Sequence, residues 1–176
     1  STRVRSSAAS DVYKRQPKAR LLSVDYGKNP KDYQAAPIKI TFRYEIPDYA
    51  LKGEGEMFFR PMVMNNLYNQ VRSYLRIDTS VENRKYGFKD GCSRLVELDE
   101  MIQLPAGYKL VNAAKNEMMQ GVGADFEGSL TQKGNKVLLH NRLALKKRVY
   151  EASDWESFRN AVNAHKAYGE YLVIKK

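Results

Sequence analysis

The chain has 176 residues, with 30 Lys and Arg against 20 Asp and Glu, a formal net charge of +10, one Cys and two His. A hydrophobic fraction of 43% and a charged fraction of 28% are typical of a folded globular domain and argue against extensive disorder. The single Cys excludes an intramolecular disulfide and the zinc sites built from several Cys and His, and no apolar run reaches the roughly 18 residues of a membrane-spanning helix.

The first sixteen residues differ from the rest of the chain. Residues 1–16 resemble a translated cloning or sequencing adapter and lack the apolar core of a secretory signal peptide. They carry four basic side chains and one acidic side chain, and so supply +3 of the +10. Because the chain also does not begin with Met, we expect the natural N-terminus to lie upstream. We treat residues 1–16 as a foreign or disordered leader and residues 17–176 as one domain.

Alternation of apolar and polar residues is the main structural signal after the leader. A short alternating run covers residues 22–26, a longer one covers 38–46, and the apolar residues 57–59 start a third run that Pro61 closes. A period of two is typical of a strand with one face in a core and one face in water. Residues 62–75 combine a weak helical stripe with several Asn, and they predict a long connection with about one helical turn.

The same alternation predicts three strands in the second half of the chain. It returns over residues 96–104, where Glu100 falls on the apolar side and indicates a bulge or a sheet edge. A turn is predicted at residues 105–107. Two further strands follow, over residues 124–130 and 137–145, joined by a hairpin connection at Lys133-Gly134-Asn135.

The period changes near the C-terminus. Ser153 and Glu156 have the spacing of a capping box, and a helical stripe follows at Trp155, Phe158, Val162 and His165. Residues 171–174 predict a buried terminal strand. The pattern predicts a mainly β protein, an antiparallel β-sandwich of about seven to nine strands with one short helix near the C-terminus. Residues 17–60 would supply joining strands, and residues 84–176 would form the main module.

Cys92 is the one candidate nucleophile, and only His140 and His165 could serve it as a base. Its Gly-Cys context is a weak motif, and Cys92 precedes a strand instead of opening a helix, so an ordinary cysteine is the favoured interpretation. We therefore expect no catalytic residue in this chain.

The sequence also predicts no cofactor and no metal site. Glu97 and Asp99 share the outer face of a strand, and together with Glu100 they form no second cluster that would complete a coordination shell. Gly121-Val122-Gly123 lacks a third glycine and leads into a strand, so it is not a phosphate-binding loop.

Two features of the sequence could indicate a binding surface. The basic run 146–148 could bind nucleic acid. The positive charge of the chain is, however, spread along its length and interleaved with acidic residues, which favours a solvated surface over a nucleic-acid site. Tyrosines could form a platform for sugars, since aromatic faces pack on sugar rings, but the candidates cannot be placed on one face: Tyr33, Tyr49, Tyr68 and Tyr86. Trp155, the only Trp, falls on the buried stripe of the predicted helix.

The order of three motifs resembles a known bacterial module. They are Asn83-Arg84-Lys85-Tyr86, the Leu104-Pro105-Ala106-Gly107-Tyr108 turn, and residues 143–150 followed by Asp154-Trp155-Glu156-Ser157-Phe158, before the final strand at 171–174. Together they resemble the C-terminal domain of unknown function that follows the transglutaminase-like core in large bacterial envelope proteins. Gly87 stands where that family commonly has Pro, and Ala106 stands where an acidic residue is frequent.

The resemblance implies a periplasmic or envelope-associated accessory module. Its partner would be a covalently attached upstream transglutaminase-like core, on which it packs or which it orients. The Cys, His and Asp of such a core have no match here, so no catalytic role passes to Cys92 and this chain is expected not to be an enzyme. The alternative is a free-standing module that binds a glycan or a peptide.

Overall fold

The computed structural model describes residues 19–27, 39–63 and 77–176, which divide between two compact units, residues 1–49 and 50–176. In the first unit, β1 (Arg20–Asp25) pairs antiparallel with β2 (Thr41–Glu45). Arg20 and Glu45 at one end of this pair form a 2.8 Å ion pair. The strand predicted over 38–46 is thus confirmed in its central part, whereas the leader 1–16 lies outside the described residues.

The larger sheet of the second unit contains four antiparallel strands in the order β6-β10-β9-β8. Their bounds are Arg94–Gln103 for β6, Lys115–Met119 for β8, Ala124–Lys133 for β9 and Lys136–Leu145 for β10. Gly134 and Asn135 connect β9 to β10, and Gly134 adopts φ 62°, the left-handed conformation that two-residue hairpins need. The predicted hairpin is therefore confirmed.

One face of this sheet builds the core. Alternate residues of β9 and β10 are buried there, among them Phe126, Leu130, Leu139, Leu143 and Leu145. The helix α1 (Trp155–Ala167) packs on β9 and β10 and buries the predicted stripe against them. The stripe residues Trp155, Phe158, Val162 and His165 are all at most 2% exposed, so the core-facing assignment of this helix is confirmed.

Two smaller sheets complete the second unit. The first has the order β3-β4-β12-β7, with bounds Leu51–Lys52, Glu56–Phe59, Leu172–Lys175 and Lys109–Leu110. The second pairs β5 (Phe88–Lys89) with β11 (Val149–Tyr150), where the rings of Phe88 and Tyr150 stack at 4.6 Å between centroids. The predicted terminal strand corresponds to β12, and the predicted turn at 105–107 is closed by a hydrogen bond from the Tyr108 N–H to the Pro105 carbonyl.

The predicted fold class is confirmed: the chain is mainly β, its sheets are antiparallel, and one short helix lies near the C-terminus. The described residues form twelve strands where seven to nine were expected, and four of the twelve are only two residues long. No helix within the described ranges is long and apolar enough to cross a lipid bilayer.

Two local predictions need correction or refinement. Of the two alternatives predicted at Glu100, the bulge is wrong, because β6 pairs with β10 without a register shift from Arg94 to Gln103, and the sheet edge is confirmed, because β6 is an edge strand. The capping box at Ser153 and Glu156 was wrong. The Asp154 carboxylate accepts the Glu151 N–H at 2.9 Å, so a short 3-10 turn (Ala152–Asp154) precedes α1 and both predicted capping residues are exposed.

Candidate functional site

The outer face of the larger sheet is the surface opposite α1, and it gathers ionisable side chains from neighbouring strands. Antiparallel register places His140 directly opposite Asp99, and Arg142 directly opposite both Glu97 and Glu127. Because side chains alternate along a strand, all five belong to the same face. We define the outer face by these five residues and by the apolar residues around them.

Glu97, Asp99 and His140 form a compact group on this face. One donor atom from each of the three side chains lies within 4.8 Å of the other two. The Asp99 Oδ1 and His140 Nδ1 atoms are 2.8 Å apart, and their side chains are 75% and 29% exposed. This group combines two carboxylates and an imidazole, the oxygen and nitrogen ligands that divalent transition metals accept.

The sequence predicted that Glu97 and Asp99 share the outer face of a strand, but it did not predict that His140 lies beside them. Their proximity depends on the register between β6 and β10, strands that are far apart along the chain. Alternation identifies the polar face of each strand, and it contains no information about which residues of two non-consecutive strands become partners. The tight hairpin at Gly134 and Asn135 fixes only the pairing of β9 with β10.

Exposed apolar side chains flank the charged centre of the outer face. Leu95 and Met101 of β6 are 56% and 62% exposed, and Met118 of β8 is 68% exposed. The register places Leu95 opposite Ala144 and Met101 opposite Leu138, so these positions share the face with His140. The outer face is therefore a mixed surface with a charged centre and apolar edges.

Cys92 is not brought to an imidazole. It is exposed and forms no hydrogen bond with either His of the described chain. His140 instead contacts Asp99, while His165 is completely buried and its Nδ1 contacts the Asn141 Oδ1. Burial lowers the pKa of His165 to about 4, so this imidazole is neutral in the core.

Glu100, the third carboxylate singled out by the sequence, has a structural contact. Its two carboxylate oxygens accept the backbone N–H groups of Met62 and Val63, at 2.8 Å and 3.1 Å. Both residues have helical backbone conformation, and N–H groups at the start of a helical segment favour a negative charge. Glu100 thus ties the segment after β4 to β6, while the rest of the predicted connection lies outside the described residues.

The basic run 146–148 is partly neutralised. Lys146 forms a 2.7 Å ion pair with Asp125, and Lys147 contacts both oxygens of Asp154. These lysines are the largest cause of the lowered pKa of each carboxyl group. Two of the three basic side chains therefore fasten β10 and the following turn to their neighbours.

Two of the four candidate tyrosines, Tyr49 and Tyr86, lie in the described parts of the chain. Tyr86 is exposed with the Lys85 ammonium 5.6 Å from its ring centre, and Tyr49 is half-buried. Tyr33 and Tyr68 lie outside the described residues. Trp155 is buried and has no face available for a sugar.

The Asn83–Tyr86 motif has a clear packing role. The Arg84 guanidinium lies 4.3 Å from the Trp155 ring and 4.9 Å from the Phe88 ring. The Trp155 Nε1 donates a 3.0 Å hydrogen bond to the Val81 carbonyl. These contacts hold the segment before β5 against the start of α1, so the motif arginine serves the fold and needs no ligand to explain it.

The chain matches a family and resembles one solved structure. Residues 55–173 match the family described as "Domain of Unknown Function with solved-structure structure (DUF3858)". The fold is also similar to a crystal structure described as a "putative protease" from Parabacteroides distasonis ATCC 8503, with a TM-score of 0.56 and 13% sequence identity. That similarity covers 70% of this chain and only 24% of the Parabacteroides chain, and at this identity it shows a shared fold. None of the curated proteins compared with the chain matches it.

Proposed function

Because the chain belongs to the DUF3858 family of domains of unknown function, we propose that it is a non-catalytic accessory module of a longer bacterial envelope protein. Its partner is an upstream transglutaminase-like core in the same polypeptide, and its task is to pack on that core or to orient it. The observation that supports this proposal is the coverage of the solved structure: the region similar to this chain makes up 24% of a protein described as a "putative protease".

The ordered motifs favour a transglutaminase-like partner. Arg84, the Pro105–Gly107 turn and Trp155 occur in the order found in modules that follow such cores, and in this chain Arg84 packs on Trp155. The proteins that carry these modules are exported, so the proposal includes a periplasmic or envelope-associated location.

The outer face is the proposed docking surface for the core. Its exposed apolar residues, Leu95, Met101 and Met118, lie on a regular sheet that needs no rearrangement to meet a partner. Apolar edges provide burial on docking, while the charged centre restricts which surfaces fit.

The first experiment reads the genomic DNA upstream of the codon for residue 17. The proposal expects the reading frame to continue into a segment with a Cys that opens a helix and a later His and Asp. A start codon and a signal peptide immediately upstream would overturn it, and would favour a free-standing binding module.

The second experiment tests the docking surface with that upstream segment expressed separately. The double variant Leu95→Asp/Met101→Asp should weaken association with the core by at least about tenfold, since burying two carboxylates costs several kcal/mol. Val111→Asp is the matched control, because Val111 is also 56% exposed but follows β7 in the smaller sheet. Equal effects of both changes in analytical ultracentrifugation would contradict the assignment of the outer face.

A further inference from the structure

We propose that Glu97, Asp99 and His140 together bind one zinc ion on the outer face of the larger sheet. This goes beyond the accessory role and concerns this chain alone, since all three ligands come from β6 and β10. The remaining coordination positions would face solvent, because the two carboxylate residues are exposed and the histidine is half-buried.

The geometry of the group is close to what zinc requires. Zinc is held at about 2.0–2.2 Å from nitrogen and oxygen ligands, so its ligand atoms lie roughly 3–4 Å from one another. The donor atoms of the three side chains are within 4.8 Å of each other. The 2.8 Å contact between Asp99 Oδ1 and His140 Nδ1 is a hydrogen bond that a bound metal would replace, and rotation of the exposed carboxylates would bring the three atoms to the spacing of zinc ligands.

The backbone that presents these ligands is regular. Glu97 and Asp99 alternate on β6, and His140 lies directly across from Asp99 in a register that is unbroken over ten residue pairs. A site on paired strands is positioned more accurately than one on a loop.

The local charge balance also favours a cation. In the described parts of the chain, Glu97 forms no ion pair within 4 Å, although Arg142 lies across from it on β10. A divalent ion bound there would add its positive charge beside the carboxylates of Glu97 and Asp99.

The ligand set distinguishes zinc from the alkaline-earth cations. Calcium prefers six to eight oxygen ligands, and magnesium prefers oxygen ligands and bound water, whereas an imidazole favours zinc and similar transition metals. The chain has two His and one Cys, and His165 is completely buried. Metal binding through an accessible imidazole must therefore use His140, which makes the proposal simple to test.

The test is titration of the full chain with Zn²⁺ by isothermal calorimetry, and with Co²⁺ by visible absorption. One ion per chain is expected, with at least about tenfold weaker binding for His140→Ala and for Glu97→Gln. Glu127→Gln is the matched control, because Glu127 also lies opposite Arg142 on the outer face but is outside the three-residue group. It removes the same charge and should leave zinc affinity within about twofold.

Several results would overturn the site. They are the absence of Zn²⁺ binding at millimolar concentration, equal weakening by Glu127→Gln and Glu97→Gln, or full retention of binding by His140→Ala. Ca²⁺ binding as tight as that of Zn²⁺ would indicate a diffuse acidic surface and would also refute it. Far-UV circular dichroism confirms the fold of each variant. In NMR spectra, Co²⁺ should broaden the His140 ring signals strongly and the buried His165 signals much less.

This test and the test of the accessory role can fail independently. Zinc binding is measured on the isolated chain, whereas the accessory role depends on an upstream core. If the unaltered chain binds zinc but no upstream core exists or docks, the accessory role is wrong; if it docks on a core but binds no zinc, the zinc site is wrong.

Discussion

Trp155 holds the start of α1 by two separate interactions. Its side chain is 2% exposed and stacks on Phe158 at 5.8 Å between centroids, while its indole N–H donates to the Val81 carbonyl. Trp155→Ala should therefore destabilise the chain by about 3–5 kcal/mol, through a cavity and an unpaired carbonyl. Urea unfolding monitored by circular dichroism measures this loss.

Trp155→Phe is the informative comparison. It keeps an aromatic ring against Phe158 but removes the indole N–H, so a smaller loss of about 1–2 kcal/mol is expected from the hydrogen bond and the reduced volume. A loss below about 1 kcal/mol for Trp155→Ala would show that the stripe does not face the core.

His165 makes the stability of the fold depend on pH. Burial lowers its pKa in the folded chain to about 4, below the ordinary value of 6.5, so the unfolded chain takes up the proton first as pH falls. The contribution of the neutral imidazole is complete above about pH 6.5 and is lost progressively as pH falls toward 4. We expect the free energy of unfolding to drop by about 2 kcal/mol between about pH 7.5 and about pH 5 from this group.

The matched variant is His165→Gln, which cannot be protonated in this range. Its unfolding free energy, measured by urea titration at each pH, should lack that drop. The low pKa values of Asp125 and Asp154, held down by Lys146 and Lys147, affect both proteins equally and cancel in the difference. Parallel pH profiles for the two proteins would contradict the burial argument.

The sequence did not predict which residues of distant strands pair with each other. The stripe correctly placed His165 in the core, because its spacing from Phe158 and Val162 is a local property. The proximity of His140 to Asp99 is not local, and it follows only when the register of β6 and β10 is known. For the same reason, the candidate metal group was not predicted, although Glu97 and Asp99 were considered as cation ligands and His140 was considered separately as a base.

Gly128 of β9 lies at a position where the packing leaves no room for a side chain. A Cβ at Gly128 would lie 2.5 Å from the Phe126 Cζ and 2.7 Å from the Tyr168 Cζ, so strand β9 and the end of α1 fit only because none is present. Gly128→Ala should destabilise the fold by about 1–3 kcal/mol through overpacking. Thermal and urea unfolding provide the measurement.

Gly91→Ala is the control for this prediction, because a Cβ at Gly91 meets no atom within 4 Å. Its effect should stay within about 0.5 kcal/mol. Equal effects at both positions would show that the rings of Phe126 and Tyr168 move aside at little cost.

Strand length and composition determined which elements were predictable. β6, β9 and β10 are ten residues each, long enough for alternation to be recognised. β8 was not predicted because Lys115–Met119 has no apolar alternation, and its position depends on pairing with β9. The two-residue strands β5, β7 and β11 are too short for any period, so they too depend on partners that are distant in sequence.

At the scale of the whole molecule, the second unit has the properties of an independent folding unit. Residues 50–176 contain α1, both four-stranded sheets and the family match at 55–173. Its buried aromatic and aliphatic side chains lie mainly on β9, β10 and α1, elements that contact one another within this unit. A segment with its own core and complete strand pairing should fold alone. The single domain expected over residues 17–176 would then have a separable first part.

The prediction is that residues 50–176, expressed without the first 49 residues, unfold in one cooperative transition. Their urea midpoint should stay close to that of the full chain when Trp155 fluorescence is followed, since the only Trp reports on the core of this unit. Residues 77–176 provide a harsher truncation: they lack β3 and β4, and so leave β12 without its pairing partner β4. This shorter chain should be markedly less stable for two reasons. Backbone groups of β12 lose their hydrogen-bond partners on β4, and the core loses the buried side chain of Phe59. If residues 50–176 instead unfold without cooperativity, the first 49 residues are required for the fold and a division at residue 50 is incorrect.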